Sequence, residues 1–344
     1  MCKSNPLRLK PYPVIDIFDA NGNLAITMGS EMFSTQNILN QDVFQVTDNI
    51  TYYTENHTLT GGINFELFRF ENSFNLFYYP WDTFGSVASF LANDRTGIDF
   101  DAQVAANSTK PLNWSYVDVG QLALYVQDEF QVSEKLNLTF GLRTDLPMYF
   151  SDVVTETNSD AIDVAENFNG WVDQNGDPAE VKPSEWPKGV ILWSPRFGFN
   201  YDVKDDATMQ IRGGSGIFSG RIPFVWLGNQ AGNAGIYPGY TFQVNATAKG
   251  YHWPQVWKNN IAFDYKFGDG WLSTVEAIYS KDINAVVHRN YNMAPPSQHL
   301  GGTGDDRAIF AGFNEVNIYS SSAGSIGFLE AGAIVMEILR RDPS

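Results

Sequence analysis

The 344-residue chain holds one cysteine, Cys2, which excludes an intrachain disulfide, a cysteine-based zinc site and an iron–sulfur cluster. It holds no run of 18 apolar residues, so no transmembrane helix is expected. Its first ten residues are polar and basic, without the apolar stretch of a secretory signal, and the expectation is an internal piece of a longer reading frame. Basic residues are scarce: 22 Lys and Arg against 39 Asp and Glu leave a net charge of −17. That excludes nucleic acid as a partner, because phosphate contacts need clustered Lys and Arg. The four histidines, His57, His252, His288 and His299, are too scattered for metal-ligand spacing. Asp173, Asn175 and Asp177 alternate like a calcium loop, but Gly176 stands fourth rather than sixth and Ser184 occupies the twelfth place, so a surface turn is expected. No G-x-S-x-G element is present, and neither an enzyme nor a cofactor is expected.

Aromatic residues are abundant, at 15% of a chain whose mean hydropathy is −0.24. That balance fits a membrane β-barrel, where every second strand residue meets lipid and aromatics gather at both interfaces. It also fits a soluble lectin-like sandwich. Strict alternation marks the strands. From Leu136 to Asp145, Leu136, Leu138, Phe140 and Leu142 share one face, and Asn137, Thr139, Gly141, Arg143 and Asp145 the other. The runs Thr58 to Arg69, Arg196 to Lys204 and Asn260 to Phe267 repeat the pattern. Tight polar turns are expected at 55–57, 133–135, 205–207 and 268–270. Long segments separate one hairpin from the next: Asn72 to Asn113, Pro147 to Leu192 and Arg221 to Gln255. Short turns at one end and long loops at the other are the outer-membrane barrel rhythm, whereas several such loops would be unusual in a soluble domain. Asn21-Gly22 marks a further hairpin between Val14 and Met28. The acidic stretch from Asp152 to Glu185 reads as water-exposed, and Ala323 to Arg341 reads as helical. Gly213, Gly214 and Gly216 inside a strand pattern point to a bulge or a close backbone approach, not a phosphate loop.

An ordered set of segments then carries a resemblance. YVQDEF (Tyr125 to Phe130) with LNLTFGLRTD (Leu136 to Asp145) is similar to a hairpin that recurs in the barrels of TonB-dependent receptors. WSPRFGFNYD (Trp193 to Asp202) with IRGGSGIFSGR (Ile211 to Arg221) resembles the next hairpin. WLGNQAGNAG (Trp226 to Gly235), PQVWKNNIAFDYKF (Pro254 to Phe267) and AIYSKDIN (Ala277 to Asn284) follow in order. The set, from about Pro13 to about Asn314, most resembles the subgroup bearing a carboxypeptidase-regulatory-like domain. The resemblance implies an all-β, antiparallel up-and-down transmembrane barrel, here partial and of roughly ten strands, over 1–316, with an atypical tail over 317–344. It implies energised import of a large or scarce nutrient, outer-membrane lipid as surroundings, and coupling to TonB through a plug domain that this sequence does not contain.

The pleat places Gln121, Tyr125, Gln127, Glu129, Arg143, Asp145, Arg196, Asn200, Asp202, Arg212, Asp264 and Glu276 on the inward face. Of these Gln127, Glu129, Arg143, Asp145, Arg196, Asp202 and Arg212 are the candidates for facing the lumen and touching a plug, with Arg143 and Asp202 as a cross-strand pair. A solvated lining is the plainer account of the same residues. Tyr78, Tyr79, Trp81, Trp226, Tyr237 and Tyr240 in the loops are candidates for stacking on a sugar or peptide; packing of the loops is the alternative. Two other classes stay open: a passive porin or adhesin barrel, and a soluble β-sandwich carbohydrate-binding protein or glycosidase. The sandwich requires Leu138, Phe140, Phe197, Phe199, Phe263 and Tyr265 to lie in a sealed core; the barrel requires them to face lipid.

Overall fold

The computed structural model describes residues 14–29, 37–73, 81–94, 114–155, 159–173, 176–232, 243–268, 270–291, 296–299, 301, 307–310 and 332–339. The elements begin with β1 (Val14–Phe18), β2 (Leu24–Met28), β3 (Ile38–Tyr53), β4 (His57–Ser73), β5 (Trp81–Phe84) and α1 (Val87–Leu91). Next come β6 (Ser115–Gln131), β7 (Leu136–Tyr149), α2 (Ser159–Asn167), β8 (Leu192–Asp202), β9 (Met209–Ser219) and α3 (Phe224–Gly232). The last are β10 (Gln243–Thr247), β11 (Gln255–Phe267), β12 (Trp271–Asn290), β13 (Pro296–His299), β14 (Ala308–Phe310) and β15 (Gly332–Leu339). None of the described helices is long and apolar enough to cross a membrane, which says nothing of strands. The chain divides into two compact units, Met1–Asn40 with Glu71–Ser115, and Gln41–Phe70 with Tyr116–Ser344.

In the smaller unit, β1 and β2 form the hairpin that Asn21-Gly22 announces, with Gly22 at φ +81°. The Asp19 carboxylate accepts the backbone N–H groups of Asn21 and Asn23 at 2.8 and 2.9 Å, which holds its carboxyl below the usual carboxylate range. The hairpin does not join the large sheet. β1 pairs in parallel with β5, giving a separate three-stranded sheet.

The larger unit carries most of an antiparallel meander in the order β12-β11-β9-β8-β7-β6-β4-β3. Its strands have 11 to 20 residues. Soluble strands usually have five or six, whereas a tilted strand needs about 9–11 to span a bilayer. The expected turns all form, joining β3 to β4, β6 to β7, β8 to β9 and β11 to β12. At the last, Gly268 and Gly270 stand at φ +60° and +95°, where a side chain would be strained. At the third, the Thr208 hydroxyl and amide hold the Asp206 carboxyl below its ordinary range.

Pairing register sorts the side chains into two faces. Phe130, Leu138, Phe199, Gly213, Ile261 and Ala277 form one unbroken apolar row across six strands. The next row runs Leu136, Tyr201, Ile211, Phe263 and Val275. Phe140 is 46% exposed, Phe197 41% and Ile261 55%; none of the six residues that separate barrel from sandwich belongs to the buried core. This rejects the soluble sandwich. Gly213 and Gly214 make no bulge, since β9 keeps register with both neighbours. A Cβ on Gly213 would come within 2.7 Å of the Asn260 carbonyl, so the close approach is the reason for glycine.

The buried core lies on the opposite face, at the loop end. Phe68, Phe70, Val117, Val119 and Leu192 from the strands meet Val153, Ile162, Ala165, Trp171, Val181, Leu227 and Trp253 from the connections. The segment 152–185 is therefore not simply water-exposed, as its acidity implied. Its Val153, Trp171 and Val181 side chains are buried, and α2 presents Ile162 and Ala165 to the core. Gln230, fully buried, donates to the carbonyls of Pro183 and Glu185 at 3.0 and 2.8 Å, tying one long connection to another. Burial, with Tyr149 adding to it, pushes the Tyr251 hydroxyl up and keeps it neutral.

The tail departs from expectation: 332–339 is the strand β15, not helix. β12 runs beyond the end of β11, leaving the edge of Ala285–Asn290 open, and β15 pairs with it antiparallel. Unpaired backbone groups and the β-branched Ile334, Val335 and Ile338 outweigh the helical spacing. β10 then adds in parallel to β15, giving ten strands in the order β10-β15-β12-β11-β9-β8-β7-β6-β4-β3. Among the described residues the end strands β10 and β3 are not joined, so this sheet does not close.

A lysine at Phe140 should lower stability in a bilayer by about 2–4 kcal/mol, and one at Thr139, on the polar face, by less than about 1 kcal/mol. Urea titration of both variants in phospholipid vesicles measures the difference; equal costs would contradict the assignment of faces.

Candidate functional site

The polar face concentrates its charge just below the loop core. β4 contributes Glu66, β6 Gln121, β7 Arg143 and Asp145, and β8 Arg196, while Arg221 follows the end of β9. Period-two alternation aims each strand residue to this side. Register then sets Asp145 opposite Ala123, Arg143 opposite Tyr125 and Ser194, and Arg196 opposite Gly141.

All of these groups but Arg196 form one continuous chain of hydrogen bonds. Arg143 donates to Asp145 through Nε at 3.1 Å and Nη2 at 2.8 Å. Gln121 Nε2 donates to the same carboxylate at 2.8 Å, while its Oε1 accepts from Arg221 Nε at 2.9 Å. Arg221 also pairs with Glu66, 155 positions away in sequence, and its guanidinium lies 4.8 Å from the Phe68 ring centre. Asp145, Gln121 and Glu66 are all buried. Two carboxylates held away from water in this way need their cations and donors, because an unpaired buried charge is costly.

The sequence-predicted residues divide into three groups. Arg143, Asp145 and Arg196 are brought together around a cleft of about 310 Å³ with Gln121, Ser194 and Arg221. Glu129 and Arg212 line a second cleft of about 410 Å³ nearer the turns, with Asn137, Thr139, Asn200 and Asn260. Gln127 donates to Glu129 at 3.1 Å, and Arg212 to Asp264 at 2.8 Å. Asp202 belongs to neither cleft. It caps the turn after β8, accepting the N–H groups of Lys204, Asp205 and Ala207 at 3.2, 3.0 and 2.8 Å. The expected Arg143–Asp202 pair therefore does not form: Arg143 stands opposite Ser194, eight residues from Asp202 along β8, or about 26 Å.

Of the aromatic candidates, Trp226 packs against the loop core and stands edge-on to His288 at 4.5 Å, which favours the packing account. Trp81 lies in β5. Tyr78, Tyr79, Tyr237 and Tyr240 lie outside the described residues. Asp173 accepts from the Asp177 N–H at 3.0 Å in a surface turn, and no cluster of metal-ligating groups occurs among the described residues.

Glu66 and Arg221 were not among the sequence candidates. Alternation placed Glu66 on the polar face of its strand, and Arg221 closes a strand motif, but nothing local links two residues so far apart.

Asp145→Ala should cost about 2–3 kcal/mol. This is below the figure for a fully buried pair, because the Arg143 side chain is 30% exposed and water can reclaim it. Arg221→Met should cost at least as much, about 2–3 kcal/mol, because it leaves the Glu66 carboxylate, only 8% exposed, without its cation. Urea midpoints in detergent rank the two; an unchanged midpoint for Asp145→Ala would show that the network does not hold the face.

Residues 9–249, well over half of the chain, match the family model described as an outer membrane beta barrel domain. No curated protein matches the chain. Among solved structures, it is similar to the apoprotein form of the FrpB iron transporter from Neisseria meningitidis, at 13% identity over 76% of this chain and 31% of that one, TM-score 0.41. It is similar to the siderophore receptor PirA from Acinetobacter baumannii, at 12% identity over 95% of this chain and 36% of that one, TM-score 0.44. A third likeness is to the outer membrane transporter YddB from Escherichia coli, at 10% identity over 95% of this chain and 32% of that one, TM-score 0.41. The chain spans about a third of the length of these proteins. The family match, not these likenesses, carries the assignment.

Proposed function

Because this chain belongs to the outer membrane beta barrel domain family, we propose that it supplies part of the wall of an outer-membrane receptor that imports a scarce nutrient by an energised route. Its apolar rows lie against the acyl chains of the outer membrane, its short turns face the periplasm, and its long connections face outward.

The observation that supports a receptor over an open pore is what covers the polar face. A passive channel needs a clear aqueous path along its wall. Here the loop end of that face carries a packed core of Trp171, Trp253, Leu227 and their neighbours, and Arg221 anchors it to Glu66. Long connections whose described residues pack above a charged wall make a scaffold for binding. The ordered hairpin motifs from Tyr125 to Asn284 point the same way, through their resemblance to TonB-dependent receptors. On this reading a plug domain supplied elsewhere in the protein occludes the interior and passes on the pull of TonB. Gln127, Glu129, Arg143, Asp145, Arg196 and Arg212 form the wall that faces it.

Liposome swelling tests the choice. Vesicles bearing the full-length protein should stay closed to small neutral sugars, and uptake in cells should stop when the inner-membrane proton gradient is collapsed. Swelling at the rate of a general porin would establish the passive channel instead.

A further inference from the structure

We propose that the cleft beneath Arg221 binds a carboxylate, and that Arg196 is the group that takes it. The proposal deepens the reading above and rests on the polar face being the aqueous interior of the barrel.

The first argument is one of charge. Three guanidinium groups border the cleft, those of Arg143, Arg196 and Arg221. Two are already engaged, Arg143 with Asp145, and Arg221 with Glu66 and Gln121. Arg196 has no hydrogen-bond or ion-pair partner among the described residues. The cleft therefore carries one positive charge in excess, within a chain of net charge −17. One monoanion balances it. A neutral ligand would leave the excess standing, and a phosphate near its second ionisation would overshoot it.

The second argument is one of shape. Arg196 stands between Gly141 on β7 and Gly216 on β9. A Cβ on Gly141 would meet Arg196 Cγ at 2.8 Å, Nε at 2.9 Å and Cδ at 3.0 Å. The Arg196 stem thus lies flat across the bare backbone of β7, which only a glycine at 141 permits. A guanidinium held down in this way loses less side-chain freedom on binding, and its planar fork matches the two oxygens of a carboxylate. At about 310 Å³ the cleft admits a small acid or one acidic side chain.

That carboxylate has two sources, a diffusible solute or an acidic side chain from another segment of the protein. The test uses the full-length protein in detergent with ¹⁵N-labelled arginine, the Arg196 Nε–H signal being assigned by its loss in Arg196→Lys. Sodium acetate is the probe and glucose the control. A saturable shift of the Arg196 signal with acetate, none with glucose, and an affinity about tenfold lower in Gly141→Ala establish a site for a diffusible carboxylate. A signal already protected from water exchange and unmoved by acetate shows that a protein carboxylate fills the site. An Arg196 signal that exchanges freely and ignores acetate overturns the proposal. Broadening of that signal by a lipid-soluble paramagnetic agent would instead put this face against acyl chains and overturn the barrel reading beneath it.

Discussion

Hydrocarbon cannot hydrogen-bond, and from that single constraint most of this structure follows. A strand inside a bilayer must find every backbone partner on a neighbouring strand. Eight strands of 11 to 20 residues in an antiparallel meander do this. The pleat then allows only one partition of side chains, with alternate residues toward lipid and the rest away from it. The row from Phe130 through Leu138, Phe199, Gly213 and Ile261 to Ala277 is that partition made visible across six strands. The constraint also accounts for the tail. Where β12 outruns β11 its edge is open, and β15 takes the vacant ladder although its sequence has helical spacing.

Satisfying the backbone frees the other face to be polar, and the polar face is where the chain differs from a plain wall. Its loop end carries a hydrophobic core, and just below that core five side chains hold one another in place from Glu66 to Arg143. Arg221 is the hinge of this arrangement, since it joins the start of a long connection to strands far away in sequence. The same groups leave Arg196 over, lying across Gly141. Packing of loops, charge of the cleft and position of the Arg196 guanidinium are thus one arrangement.

Features with short periods were legible in the sequence. Alternation in 58–69, 136–145, 196–204 and 260–267 gave strands that exist as β4, β7, β8 and β11, and the polar tripeptides between them gave the turns. The Asn21-Gly22 hairpin was legible for the same reason, though not its place in a separate sheet, which depends on β5. What escaped needs information carried between distant positions. The pairing of Arg143 follows from register, and register placed it beside Ser194 and away from Asp202. Glu66 and Arg221 meet through folding of a long connection that has no periodic signal. In 152–185 the buried Val153, Ile162, Trp171 and Val181 are too few to shift the average of an acidic stretch, yet they decide where it goes.

The central claim is that the apolar rows meet lipid, and a nitroxide scan along Leu136–Asp145 in a reconstituted bilayer tests it most directly. The account predicts collision rates with dissolved oxygen that peak at Leu138, Phe140 and Leu142, and collision rates with a water-soluble metal chelate that peak at Asn137, Thr139 and Gly141. If Leu138, Phe140 and Leu142 were shielded from both agents, those side chains would be sealed inside a protein core, and the membrane assignment would fail.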